Sequence, residues 1–169
     1  MSNLRLINET TASSVSSVDI TDVFNSDFDI YKLTLNSRKT ASGTLKIRMI
    51  NSSGSIISSS NYDYAQADMY ANTSFGETRS TNNNNYRTLI ADDYFSTVLY
   101  IFNPNNSSSY SFFLSQQIGY YNAAGIPTLT SKQIGVLKQT ASMSGIHFVS
   151  DTGTLTDFDC KIYGLRVDS

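Results

Sequence analysis

Tyr31, Leu33 and Leu35 alternate with Lys32, Thr34 and Asn36; after a polar break, Leu45, Ile47 and Met49 alternate with Lys46, Arg48 and Ile50. Side chains on a strand point to opposite faces with period two, so each run carries one apolar and one mostly polar face. The intervening SRKTASG is hydrophilic and ends on Gly43, a turn signal. Residues 28–51 are therefore expected to form an antiparallel pair with one wall on a core. Upstream, residues 1–19 are weakly patterned: Leu4 and Leu6 alternate with polar neighbours, and TTASSVSSV offers nothing large to bury. This stretch is expected to be an N-terminal arm, either a mobile leader or an extended segment adding to a sheet of its own or a neighbouring chain.

Beyond Asn51, Ser52-Ser53-Gly54 is a tight-turn signal, and SIISSSNYDYA reads as a strand with Ile56 or Ile57 inward. From Asp68 to Asn85 the alternation dissolves into a long loop, the first place to look for a contact surface. TLIADDYF and STVLYIFNP follow as strands, the second almost continuously apolar from Val98 to Phe102, as expected of a strand covered on both faces. Residues 104–109 form a turn. YSFFLSQQIGYY places Tyr110, Phe112, Leu114, Gln116 and Ile118 on one face. Gly135 within SKQIGVLKQT predicts a strand with a bulge. GIHFVSD and LTDFDCKIYGLRV close the chain, with a switch of face expected at Gly164. Helical periodicity is absent, and turn signals recur at short intervals. The fold class is all-β: an antiparallel two-sheet sandwich, jelly-roll-like, of about eight to ten strands, with an arm at 1–19 and a single domain at 20–169.

Composition agrees. Ser, Thr and Asn number 27, 17 and 15 of 169 residues, while 40% of residues are hydrophobic and net charge is −2. That is too apolar and too weakly charged for disorder, and it suits a turn-rich β protein. With a pI near 5.2 there is no electrostatic case for nucleic acid, and no apolar run is long enough for a membrane helix. The N-terminus carries no basic patch followed by an apolar stretch, which predicts synthesis in a cytoplasm.

Candidate chemistry is sparse. His147 is the single histidine, so neither a zinc site nor a serine or cysteine dyad with a spare base can be assembled; it reads as a strand-surface or hydrogen-bonded residue. Cys160, the single cysteine, rules out an internal disulfide and reads as a small buried residue. Asp92 and Asp93 face opposite ways on a strand. Asp157 and Asp159 share a face and, with Asp151, are the one arrangement that could hold Ca²⁺, although the twelve-residue loop signature is missing. No catalytic, cofactor or metal site is assigned, and the chain is not read as an enzyme. The tyrosines of SNYDYAQADMYANTSF and IGYYN are candidate contact residues.

FDIYKLTL, GTLKIRMINSSGSIISSSNYDYA, FNPNNSSSYSFF, SGIHFVSDTGTL and KIYGLRV together resemble the small jelly-roll virion proteins of tailed bacteriophages, most closely those of marine and cyanobacterial phages. The likeness runs roughly from residue 20 to 167, with Asn61-Tyr62-x-Tyr64 and the terminal I-Y-G-L-R at 162–166 as its recurring motifs. It implies a non-enzymatic virion protein: a capsid decoration or cement protein, or alternatively a tail-fibre or receptor-binding head domain that binds a glycan. The partners it implies are the major capsid protein or tail and fibre proteins of the same virion, further copies in a homotrimer, and a host surface glycan. Neither nucleic acid nor membrane insertion belongs to that picture. The chain has no coiled-coil or repetitive shaft, which favours a decoration-sized or adaptor-sized component.

Overall fold

The computed structural model describes residues 4–41, 43–71, 74–90, 94–120 and 128–166, with backbone alone at 88–90. Within them the chain forms twelve strands and no helix: β1 (Leu4–Ala12), β2 (Ser17–Ile20), β3 (Ile30–Lys39), β4 (Thr44–Asn51), β5 (Tyr62–Tyr70), β6 (Phe75–Asn83), β7 (Tyr86–Ile90), β8 (Tyr94–Phe102), β9 (Ser111–Gly119), β10 (Leu129–Leu137), β11 (Met143–Ser150) and β12 (Leu155–Leu165). Two antiparallel sheets make the sandwich, an eight-stranded one ordered β1-β12-β3-β8-β9-β10-β5-β6 and a four-stranded one ordered β2-β11-β4-β7. The all-β two-sheet expectation holds, with more strands than the turn signals suggested.

The two strands at 28–51 do not pair with each other. β3 lies between β12 and β8 in the large sheet, whereas β4 lies between β11 and β7 in the small one. Their apolar faces meet across the core instead of lying side by side, and period-two alternation looks the same in either case. A buried ion pair ties down the corner. Lys39 Nζ, its side chain fully enclosed, sits 3.0 Å from Asp151 Oδ1 and donates to the Thr44 carbonyl at 3.2 Å. Asp151 also accepts from the Thr44 amide and hydroxyl, each at 2.6 Å.

Of the expected arm, residues 4–19 are built into the sandwich. β1 runs along β12 at one edge of the large sheet, and β2 runs along β11 at one edge of the small sheet. The expected loop over residues 68–85 is also corrected: β5 continues to Tyr70 and β6 returns beside it from Phe75 to Asn83. β6 is an edge strand in which Phe75 is followed only by Gly, Glu, Thr, Arg, Ser and Asn, so it gives no apolar alternation to detect.

Between the sheets, Tyr86 of β7 stacks on Phe113 of β9 with centroids 5.0 Å apart, and Phe148 meets Phe158 edge-on at 5.4 Å. Tyr62 of β5 crosses to the small sheet: its hydroxyl accepts from the Met49 amide at 2.9 Å and donates to the Ile57 carbonyl at 3.1 Å. Ile57 is the inward isoleucine of the 56–57 pair.

Two glycines behave differently from expectation. β10 keeps an unbroken register with both neighbours through Gly135, so it carries no bulge there. A Cβ at Gly135 would stand 2.6 Å from the Tyr86 ring, so the missing side chain is the seat for that ring. Gly164 likewise faces inward in step with Phe158, Cys160 and Ile162, and Phe28 packs where its Cβ would be. The face of β12 switches earlier than expected, between buried Leu155 and buried Phe158, where the register slips against β3 from Thr156 to Asp159 around Asp157 with φ of 53°.

Candidate interaction face

The outer face of the large sheet breaks the usual rule for a sandwich. On β9 the inward positions are Ser111, Phe113, Ser115, Gln117 and Gly119, while Phe112, Leu114, Gln116 and Ile118 point outward. The apolar alternation legible in the sequence is thus the solvent-facing one. Cross-strand register extends the pattern. One outer rung runs Ser96, Ile118, Thr130, Met69, Phe75, and the rung two residues along runs Val98, Gln116, Lys132, Ala67, Glu77. A third runs Tyr100, Leu114, Ile134, Ala65, Arg79. Phe75, Ile134, Ile118 and Met69 keep more than half of their surface exposed. Val98, Tyr100 and Phe102 are half-buried, so β8 is fully covered only on its inner side, by the small sheet.

Side-chain heights give the face relief. Ala65 and Ala67 on β5 form a valley between taller neighbours. A shallow trough of about 540 Å³ lies there, walled by Phe112, Ile134 and Val136 on one side and Arg79 and Thr81 on the other. A second, more polar trough of about 420 Å³ runs between Thr34, Asn36, Ser96, Ile118 and Thr130. The charges are mixed. Lys32, Lys132 and Arg79 share the face with Asp63 and Glu77; Arg79 pairs with Glu77 along β6, and Asp63 pairs with Lys138 at 2.9 Å.

Beneath this face, one end of the core is polar. Thr97, Gln117, Ser131 and Asp68 form one inward rung, and Ser115, Gln133 and Gln66 lie on the next. Gln133 Nε2 donates to Gln66 Oε1 at 2.8 Å, and Gln66 Nε2 donates to Asp68 Oδ1 at 2.6 Å. Burial raises the Asp68 carboxyl above its ordinary range, against the pull of the Gln66 amide, the Arg87 charge and the Tyr70 hydroxyl. The Thr97 hydroxyl and the Gln133 carbonyl oxygen have no hydrogen-bond partner among the described residues. Sequence reading missed these rungs, although the signal is there: Gln66, Ser115, Gln117, Ser131 and Gln133 share parity with core residues Tyr64, Phe113 and Leu129.

The residues singled out for chemistry are scattered. His147 is buried on β11, its Nδ1 2.5 Å from Asp19 Oδ1 on β2. Cys160 is fully enclosed, and burial first, then the Asp159 charge, pushes its thiol up to about 12, which leaves it inert. Both oxygens of Asp151 are committed to Thr44, one also to Lys39, while Asp157 and Asp159 belong to the register slip on β12. Among the described residues, no three His, Cys, Asp or Glu side chains come together as a metal site. Asp92 and Asp93 lie outside the described residues. The tyrosine expectation divides. Tyr62 and Tyr64 are core, Tyr70 is half-buried, Tyr120 is exposed, and Tyr121 lies outside the described residues.

No protein-family model matches the chain, and no curated protein matches it. Among solved structures, one similar chain is a fructofuranosidase from Schwanniomyces occidentalis complexed with fructosylnystose: 11% identity, TM-score 0.32, covering 97% of this chain and 34% of that one. Another is the CBM2 module of an evolved Dit from Lactobacillus casei BL23 phage J-1: 10% identity, TM-score 0.29, covering 97% and 78%. This chain spans about a third of the first of these.

Proposed function

We propose that this chain is a non-enzymatic structural component of a bacteriophage virion, a capsid decoration or cement protein bound to the major capsid protein. What carries the reading is the open outer face of the large sheet, where the apolar side chains of β9, β10, β5 and β6 stand in solvent. Contiguous apolar patches of this kind mark interaction surfaces on soluble proteins. The resemblance at Asn61-Tyr62-x-Tyr64 and residues 162–166 supports the virion assignment, and the spent or scattered state of His147, Cys160 and Asp151 supports a role without catalysis. The test is mass spectrometry of purified phage particles. Stoichiometry matching the head subunits is expected; absence from the particles would sink the proposal.

A second reading, a tail-fibre or receptor-binding head, is favoured by the trough beside Phe112. Its rim offers Asp63, Arg79, Ser80 and Thr81 to sugar hydroxyls and Phe112 to a sugar face. A few copies per particle at the tail, together with binding on a glycan array, would replace the decoration reading with this one.

A further inference from the structure

We infer that the outer face of the large sheet closes against the same face of a second copy of this chain. The inference rests on the reading of that face as an interface and names a second copy as its occupant, so that other surfaces of the pair would meet the capsid protein. Area is the first argument. Met69, Phe75, Tyr94, Phe112, Ile118 and Ile134 each keep between 46% and 76% of their surface exposed. At about 100 Å² apiece they present about 600 Å² of mostly apolar surface, at the upper end of what a lone protein carries. The half-buried Val98, Tyr100, Leu114 and Val136 between them bring the patch towards the ~800 Å² per partner of a stable interface.

Charge is the second argument. Lys32, Arg38, Lys132 and Arg79 stand among Asp63 and Glu77, so the face carries mixed charge with a small positive excess. A highly charged anionic or cationic partner is poorly matched to it, whereas a second copy meets only weak repulsion between separated, partly paired charges. Relief is the third. Phe112, Ile134 and Val136 stand beside the trough over Ala65, so ridge and trough both occur on one surface. Self-complementarity of that kind is what a two-fold contact requires, because the same patch must serve both partners.

The experiment is sedimentation equilibrium of the purified full chain, alongside an Ile118→Lys/Ile134→Lys double variant and a Ser16→Lys control on the turn between β1 and β2. The wild type and the control are expected at twice 18.7 kDa. The double variant is expected to weaken association about 30-fold or more while keeping the wild-type circular dichroism and melting temperature at high dilution. If the double variant fails to fold, Gln116→Cys supplies the second reading: oxidation is expected to cross-link pairs of chains. A wild type that stays monomeric at about 100 µM, where even a weak specific dimer would be visible, overturns the inference. So does an oligomer, trimeric or otherwise, that survives the double variant and gives no cross-link. A dimer found in solution while particles lack the protein would remove the virion reading and leave this one standing; a particle-bound monomer would do the reverse.

Discussion

Gln117 and Ile118 are neighbours on β9, and their surroundings are the reverse of their chemistry: the amide is 2% exposed and the isoleucine 55% exposed. Leaving a large aliphatic side chain in water forgoes about 1.5–3 kcal/mol. The partner proposed above for the outer face would recover it.

Substitutions on the two faces of β9 are expected to separate cleanly. Measured by chemical denaturation at low protein concentration, Ile118→Ser should change stability by no more than about 0.5 kcal/mol, as at other exposed sites. Phe113→Ala, which removes the ring stacked on Tyr86, should cost about 3–5 kcal/mol. An equally large loss at Ile118 under those conditions would mean that it packs within its own chain.

The Tyr62 hydroxyl joins the sheets through Met49 and Ile57. Tyr62→Phe keeps the ring and strands the Met49 amide, a loss of about 1–3 kcal/mol. Hydrogen exchange should show the Met49 amide exchanging faster in this variant, and no change there would show that another acceptor takes over.

Asp151 sets an acid limit. Burial alone would raise its carboxyl, but the Thr44 hydroxyl, the Lys39 ammonium and the Thr44 amide outweigh that and hold it at about 2. Because the folded value lies below the unfolded one, the stabilisation is fully present above about pH 4 and fades as pH falls towards 2. It amounts to about 2 kcal/mol. Denaturant midpoints should drop through that window, and Asp151→Asn should remove most of the drop.

Asp68 works in the opposite direction. Its folded-state carboxyl lies above the unfolded one because burial penalises the charge. It therefore lowers stability as pH rises through and beyond the unfolded value. Asp68→Asn, which keeps an acceptor for Gln66, is expected to raise the denaturation midpoint at pH 7 and leave it unchanged at pH 3. A loss at pH 7 would show that the ionised carboxylate is needed by the Gln133–Gln66–Asp68 chain.

Gly135→Ala should cost about 1–3 kcal/mol, since the added methyl would stand 2.6 Å from the Tyr86 ring and must displace it. A neutral result in thermal melts would mean that the ring has room to move.

Strand content and fold class were legible because period-two alternation is local: β3, β4, β8, β9, β11 and β12 all announce themselves. Pairing was not, since the alternation of Leu33 and Ile47 is the same whether their strands lie in one sheet or face each other across two. β6 stayed hidden because an edge strand of polar residues has no core side to betray it. Gly135 and Gly164 were misread as irregularities, since a glycine seating an aromatic ring looks in sequence like a break. The interaction face was visible as the row from Phe112 to Ile118, but nothing in that row tells inside from outside. That distinction comes from Gln117, Gln133 and Gln66, which only a register brings together.

The strands nearest the start of this sequence complete the sandwich beside those nearest its end: β1 along β12, and β2 along β11. During synthesis, β1 and β2 leave the ribosome long before the strands they pair with have been made. Neither sheet can close its edge until β11 and β12 have been made, and such long-range pairing is slow. Surfaces that depend on the completed sheets thus form only after β12 has emerged, so products cut short before it are kept out of any assembly that uses them.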